Sequence, residues 1–344
     1  MKFEVPAPTL RRTLVQISRL VQATTHITIT AADDALTLHF AGMGSGGMLR
    51  VAARVVTAGT VTCSLARLRS ASAGRGVLTG ATGDGGLALG ETIVPGLLGL
   101  TTRSITTPSG RGLSVSALEI ADVQRRVLPM VAGTGTLGPV TAVELTGDQR
   151  QRTWCATDRY HLAMLDVVGP CPEPRLVPAK LLRAADPTLD AVLRFGKVVT
   201  ITQGPNYLWV VPVGGSYPAW RPLLDGIVPT TVVEQADLAA AFAAGRRAGP
   251  FGELELRSEE SPDGSTALTI GEGRLEGPWH TEIASDGVGK WERRFLAAQL
   301  HRIVRAAGPG QLAIGLSPGP VQPVEFRGAN GWRALIMPLR VPAA

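Results

Sequence analysis

The chain has 344 residues, 44% of them apolar and 18% charged, a length that suits two or three domains with a core and argues against a disordered polymer. Its three cysteines (Cys63, Cys155, Cys171) form no C-x-x-C and its five histidines are scattered, which excludes a disulfide framework and a zinc centre as expectations. The opening MKFEVPAPTLRR lacks a signal peptide's apolar core, and runs such as 93–100 are too short and too broken by Gly and Pro to span a bilayer, so a cytoplasmic protein is expected.

Taken in chain order, the first element is a helix over 8–21, where Leu10, Leu14, Ile17 and Val21 recur at helical spacing. Alternation with an Asp-rich turn predicts a hairpin over 26–40, and a second helix follows at 64–74. The Gly-rich pieces at 42–47 and 80–86 are not G-x-x-x-x-G-K-[ST], so no nucleotide hydrolysis is expected. The same succession then returns: helix 117–131, hairpin 141–157, helix 177–189; and again helix 234–248, hairpin 252–270, helix 292–308. The period is roughly 115 residues. It predicts three α+β domains, 1–115, 116–228 and 229–344, each with two helices packed on antiparallel sheet.

The chain is basic, with a net charge of +6 and only four Lys among 34 basic residues. Arginine-rich coding bias and attraction to phosphate account for this equally well. The placement says more. Arg11, Arg12 and Arg19 lie on the first helix, and Arg67 with Arg69 on the second. Arg125 and Arg126, Lys180 and Arg183, Arg246 and Arg247, and Arg302 and Arg305 mark the other four. One such pair is ordinarily a solvated face. If the six helices share a side of the molecule, this recurrence predicts a surface that follows a sugar–phosphate backbone without reading bases.

The stretch WCATDRYHLAML (154–165) raises the question of catalysis, because Asp158 and His161 supply two thirds of a hydrolytic triad. There is no G-x-S-x-G to complete it. The alternative is a turn that Asp158 braces by accepting nearby backbone amides.

ATDRYHLAML resembles the A-T-D-G-H-R-L-A segment of the bacterial β sliding clamps, the processivity subunits of replicative DNA polymerase. MKFEV, VPAKLL (177–182), SYPAWRPLL (216–224) and RALIMPLRV (333–341) resemble further segments of that family in the same order. The resemblance implies three clamp domains per chain and a head-to-tail homodimeric ring, with helices lining a hole around duplex DNA. It implies a non-catalytic processivity factor without cofactor, metal or membrane contact. Its partners would be duplex DNA, the replicative polymerase and a clamp-loader ATPase. It further implies a site for partners' peptides between the second and third domains. That site would comprise Thr157, Arg159, Tyr160, His161, Leu162, Pro218, Leu223, Phe251, Leu335, Met337, Pro338, Leu339 and Arg340, with Tyr160 and His161 facing the peptide. Without the resemblance, Leu162, Leu335 and Met337 read as core residues.

This sequence departs from the family turn, having Arg159-Tyr160-His161 where the family has Gly-His-Arg. A glycine there implies a backbone conformation that Arg tolerates poorly. Pro222 replaces a basic residue of the family, and the basic balance differs from the family's acidic one. Two alternatives follow: a divergent clamp paralogue with altered partner specificity, or a DNA-binding scaffold that is not a clamp.

Overall fold

The structure, a computed structural model, describes residues 1–83, 85–97, 112–133, 136–171, 173–248, 252–260, 266–272, 279–287, 289–319 and 322–339. Backbone contacts group the chain into two compact units, one of Met1–Ala121 with Val177–Val213 and one of Asp122–Leu176 with Gly214–Ala344. The middle third of the sequence therefore contributes to both. The reason is strand pairing between distant parts of the chain. In the first unit Ser45–Ala52 pairs antiparallel with Asn206–Val210; in the second His161–Val168 pairs with Trp332–Ile336.

Six α-helices lie among the described residues: α1 (Ala7–Ser18), α2 (Leu65–Ala71), α3 (Ala117–Asp122), α4 (Ala179–Ala184), α5 (Gln235–Ala248) and α6 (Ala297–Ala307). In α1 the expected stripe is buried through Leu10, Leu14 and Ile17, and Pro8 sits in the first turn, where a missing N–H costs nothing. Helices α2 and α4 pack against it in the first unit. Its five-stranded sheet includes Lys2–Pro6 between Arg54–Thr57 and Val77–Gly83, and its second sheet has nine strands. The Gly-rich piece at 42–47 has a packing role there. A Cβ on Gly46 would stand 2.6 Å from the Phe40 carbonyl oxygen, and one on Gly47 would stand 2.4 Å from that of Tyr207. Only glycine lets these backbones approach.

In the second unit an antiparallel sheet of twelve strands carries a core with Trp154, Phe295, Phe326 and Trp332 fully buried. Two helix expectations are corrected here. The 117–131 helix is α only to Asp122, then widens into a π turn (Val123–Val127) and a 3₁₀ turn (Leu128–Met130). Pro129 explains the change, since its ring would meet the carbonyl four residues back in an α-helix. The 292–308 helix begins only at Ala297, because Trp291–Leu296 is a strand paired with Glu253–Glu260. Helix α6 then buries Leu300, Ile303 and Val304 and ends at Gly308, whose φ of +78° suits glycine.

Candidate functional site

Gln151–Thr157 and His161–Val168 form a hairpin whose turn is held from within. The Thr157 hydroxyl donates to the His161 carbonyl (2.6 Å) and accepts the Arg159 N–H (3.0 Å). Asp158 Oδ1 accepts the amides of Tyr160 (3.0 Å) and His161 (2.8 Å). His161 Nδ1 lies 2.8 Å from Asp158 Oδ2. This is the bracing expected of an Asx turn. Burial opposes ionisation of Asp158. The hydrogen bond and charge of His161, with the two backbone amides, outweigh it and hold the carboxyl below its ordinary value. Arg302 of α6 adds a cation 3.6 Å away.

The Asp–His pair is therefore spent on the turn. His161 is 3% exposed, so the expectation that it faces a partner is corrected: its ring lies inward, held by Asp158. Tyr160 instead stands 67% exposed at the tip. Arg159, also exposed, has a φ of +80°, the left-handed region implied by the glycine of the resembling family.

The apolar candidates divide by burial. Leu162 and Leu335 face one another across the strand pair and are buried in a cluster with Cys155, Met164, Trp220 and Ile227. Pro338 and Thr157 are buried as well, whereas Pro218, Leu223 and Met337 are exposed and Leu339 is half-buried. The Met337 amide donates to the Tyr160 carbonyl (3.1 Å), which places the exposed thioether residue beside the turn. Phe251 and Arg340 lie outside the described residues.

The segment after Gly214 is fastened over this sheet face. Tyr217 Oη donates to the Cys155 carbonyl (3.2 Å), and burial pushes its phenol pKa up. Trp220 Nε1 donates to Glu144 Oε2 (2.6 Å), with the Arg221 guanidinium 4.7 Å over its ring. Beyond Trp220 a cavity of about 360 Å³ opens among Asp148, Met164, Asp166, Leu224 and Arg333. Sequence reasoning missed this cavity. The alternation of the strand His161–Val168 is the signal that could have found it, since it puts Met164 and Asp166 on the same face as Leu162.

The basic residues differ in exposure. Arg11, Arg12, Arg19, Arg67 and Arg183 are exposed in the first unit, with Lys180 half-buried. Partial desolvation lowers the pKa of both Lys180 and Arg183, although Arg183 keeps an exposed surface. Arg19 donates to the Arg183 carbonyl (2.6 Å), and Arg11 to those of Ser72 and Gly74. In the second unit Arg125, Arg302 and Arg305 are exposed. Arg246 and Arg247 fall in α5, but their side chains lie outside the described set. Arg126 is a correction. It is 3% exposed, donates to the Ala329 carbonyl (3.0 Å) and stays near Asp122 (3.5 Å), so it faces the core rather than a polyanion. It shares a face with Val123 and Val127, a spacing that could have revealed it.

No family model matches the sequence, and no curated protein matches it either. Solved structures do. A DNA polymerase III β subunit from Thermotoga maritima superposes with a TM-score of 0.80 at 13% identity, covering 99% of each chain. A DNA polymerase sliding clamp from Bacillus subtilis gives 0.78 at 14%, again over 99% of each. A sliding clamp from Pseudomonas aeruginosa bound to griselimycin gives 0.78 at 16%, over 99% of this chain and all of that one. At such identities what is shared is the architecture: this chain has the fold of the bacterial DNA polymerase III β-subunit sliding clamps.

Proposed function

We propose that this protein is a DNA sliding clamp, a processivity factor with no reaction of its own. The observation that carries the reading is the fold likeness to sliding clamps over 99% of both chains. The exposed basic residues of α1, α2, α4 and α6 support it, because weak contacts to phosphates permit sliding. In this reading the chain has three clamp domains, pairs head to tail with a second copy and encircles duplex DNA in the cytoplasm. A clamp-loader ATPase opens it, and the replicative polymerase docks through a short peptide.

The docking surface of the proposal is Tyr160, Pro218, Leu223 and Met337, with Leu162 and Leu335 as its buried floor. A second reading, a paralogue with altered peptide specificity, is favoured by one observation. The turn presents Tyr160 outward on a strained Arg159 while His161 is locked to Asp158.

Topological retention tests the clamp. Loaded onto nicked circular DNA, the protein should stay through a high-salt wash and leave when the circle is linearised. Equal retention on both forms contradicts a ring. Griselimycin tests the docking surface: calorimetry should show binding that Tyr160→Ala and Met337→Ala weaken, and unchanged affinity in both variants would contradict the assignment.

A further inference from the structure

Helix α6 packs against the π turn Val123–Val127, and between them lies a hollow of about 520 Å³. Its charged lining is Arg125, Arg302 and Arg305, with His301 beside them; Pro129 and Ala298 give it an apolar wall. Among the described residues no carboxylate lines it. Two nearby acids pair with these arginines without lining it. Asp122 is 2.5 Å from Arg125, and Asp158 is 3.6 Å from Arg302. Arg305 has no ion-pair partner among the described residues.

Three guanidinium groups around one hollow make a seat for a phosphodiester, whose oxygens match their paired N–H donors. A neutral or cationic ligand would leave those charges facing one another. The hollow exceeds a single phosphate in volume, leaving room for the attached sugar. Arg302 belongs to two structures at once. Its side chain is 41% exposed and lines the hollow, yet it also reaches the carboxylate that braces the 157–162 turn. A pair at that distance with its arginine exposed is weak. A phosphodiester flanked by Arg125 and Arg305 offers Arg302 a closer anionic partner.

We propose that this hollow seats one backbone phosphate of nucleic acid and draws Arg302 from Asp158 as it does so. Occupancy of the seat thereby loosens the turn that carries Tyr160. The proposal rests on the clamp reading for the identity of the polyanion, but its test does not. Arg302 is a positioning residue for the turn and a contact residue for the phosphate.

The experiment uses the full chain and a linear 30-base-pair duplex at low salt, with binding followed by fluorescence anisotropy as salt rises. Arg305→Gln and Arg302→Gln should each weaken binding and reduce the slope of log affinity against log salt by about 1, the signature of one lost phosphate contact. Hydrogen exchange at the Tyr160 and His161 amides gives the second readout. Duplex should speed it several-fold in the wild-type protein. Arg302→Gln should exchange fast without duplex and gain nothing from it, and Arg305→Gln should start from the wild-type rate. Wild-type affinity and slope in both variants would overturn the seat. Normal duplex binding with no change in exchange would overturn the coupling. A protein that passes both tests yet is held no better on circles than on linear DNA keeps the seat and loses the clamp reading.

Discussion

Replacing Arg159 by glycine should make the protein more stable. Arg159 occupies a φ of +80°, beyond the usual left-handed centre, while its side chain is exposed and its N–H is satisfied by Thr157 Oγ1. A Cβ in this region costs about 1–2 kcal/mol. Glycine relieves that cost and adds about 0.5–1 kcal/mol of chain entropy to the unfolded state. The balance is a gain of about 0.5–1 kcal/mol for Arg159→Gly, with the turn's hydrogen bonds intact. Arg159→Ala keeps the Cβ and should fall within about 0.5 kcal/mol of wild type. Urea unfolding followed by tryptophan fluorescence reports the unit directly, because Trp154 and Trp332 are buried in it. The midpoint should rise for Arg159→Gly at unchanged m. A fall in midpoint, or an equal rise for Arg159→Ala, would refute the claim of backbone strain.

Asp158 gives a pH test. Its folded pKa is depressed, so its stabilisation is fully present above the unfolded value of about 3.9 and is lost as pH falls through the folded value. Asp158→Asn, which can still accept the turn amides, should be less stable than wild type at pH 7 and converge with it in acid; parallel stability curves would count against the charge. Arg126→Gln should cost about 1–3 kcal/mol by depriving the Ala329 carbonyl of a charged donor, while Arg125→Gln stays within about 0.5 kcal/mol. The reverse order in chemical denaturation would place the wrong arginine inside. All three cysteines are buried and unpaired, and desolvation pushes the Cys63 thiol up to about 11. A thiol reagent at pH 8 should react with none of them until the protein unfolds, and prompt labelling of any one would disprove their burial.

Local features were legible in the sequence to the extent that their causes are local. The stripe Leu10, Leu14, Ile17 marked α1, and the Asp-led turn marked the 157–162 hairpin, because spacing and side-chain chemistry suffice there. The pairing of Leu162 with Leu335 was not readable from periodicity, since strands at opposite parts of the chain find each other through packing. Arg126 was misread because charge was weighed above its place between Val123 and Val127. His161 was misread for a related reason. A polar side chain on a turn suggests solvent, but Asp158 gives this one a partner inside. Tyr160 and Met337 as neighbours came from the resemblance, not from spacing, and one backbone hydrogen bond joins them.

That bond gives the turn mechanical authority over a residue far away in the chain. Where Tyr160 goes, its carbonyl carries the Met337 amide along, and the thioether shifts with it. A rotation at Arg159 would therefore move two exposed side chains in concert, the phenol directly and the thioether by way of the bond. Retuning which peptide fits would then need no new contact: a single turn residue sets the position of two anchors at once.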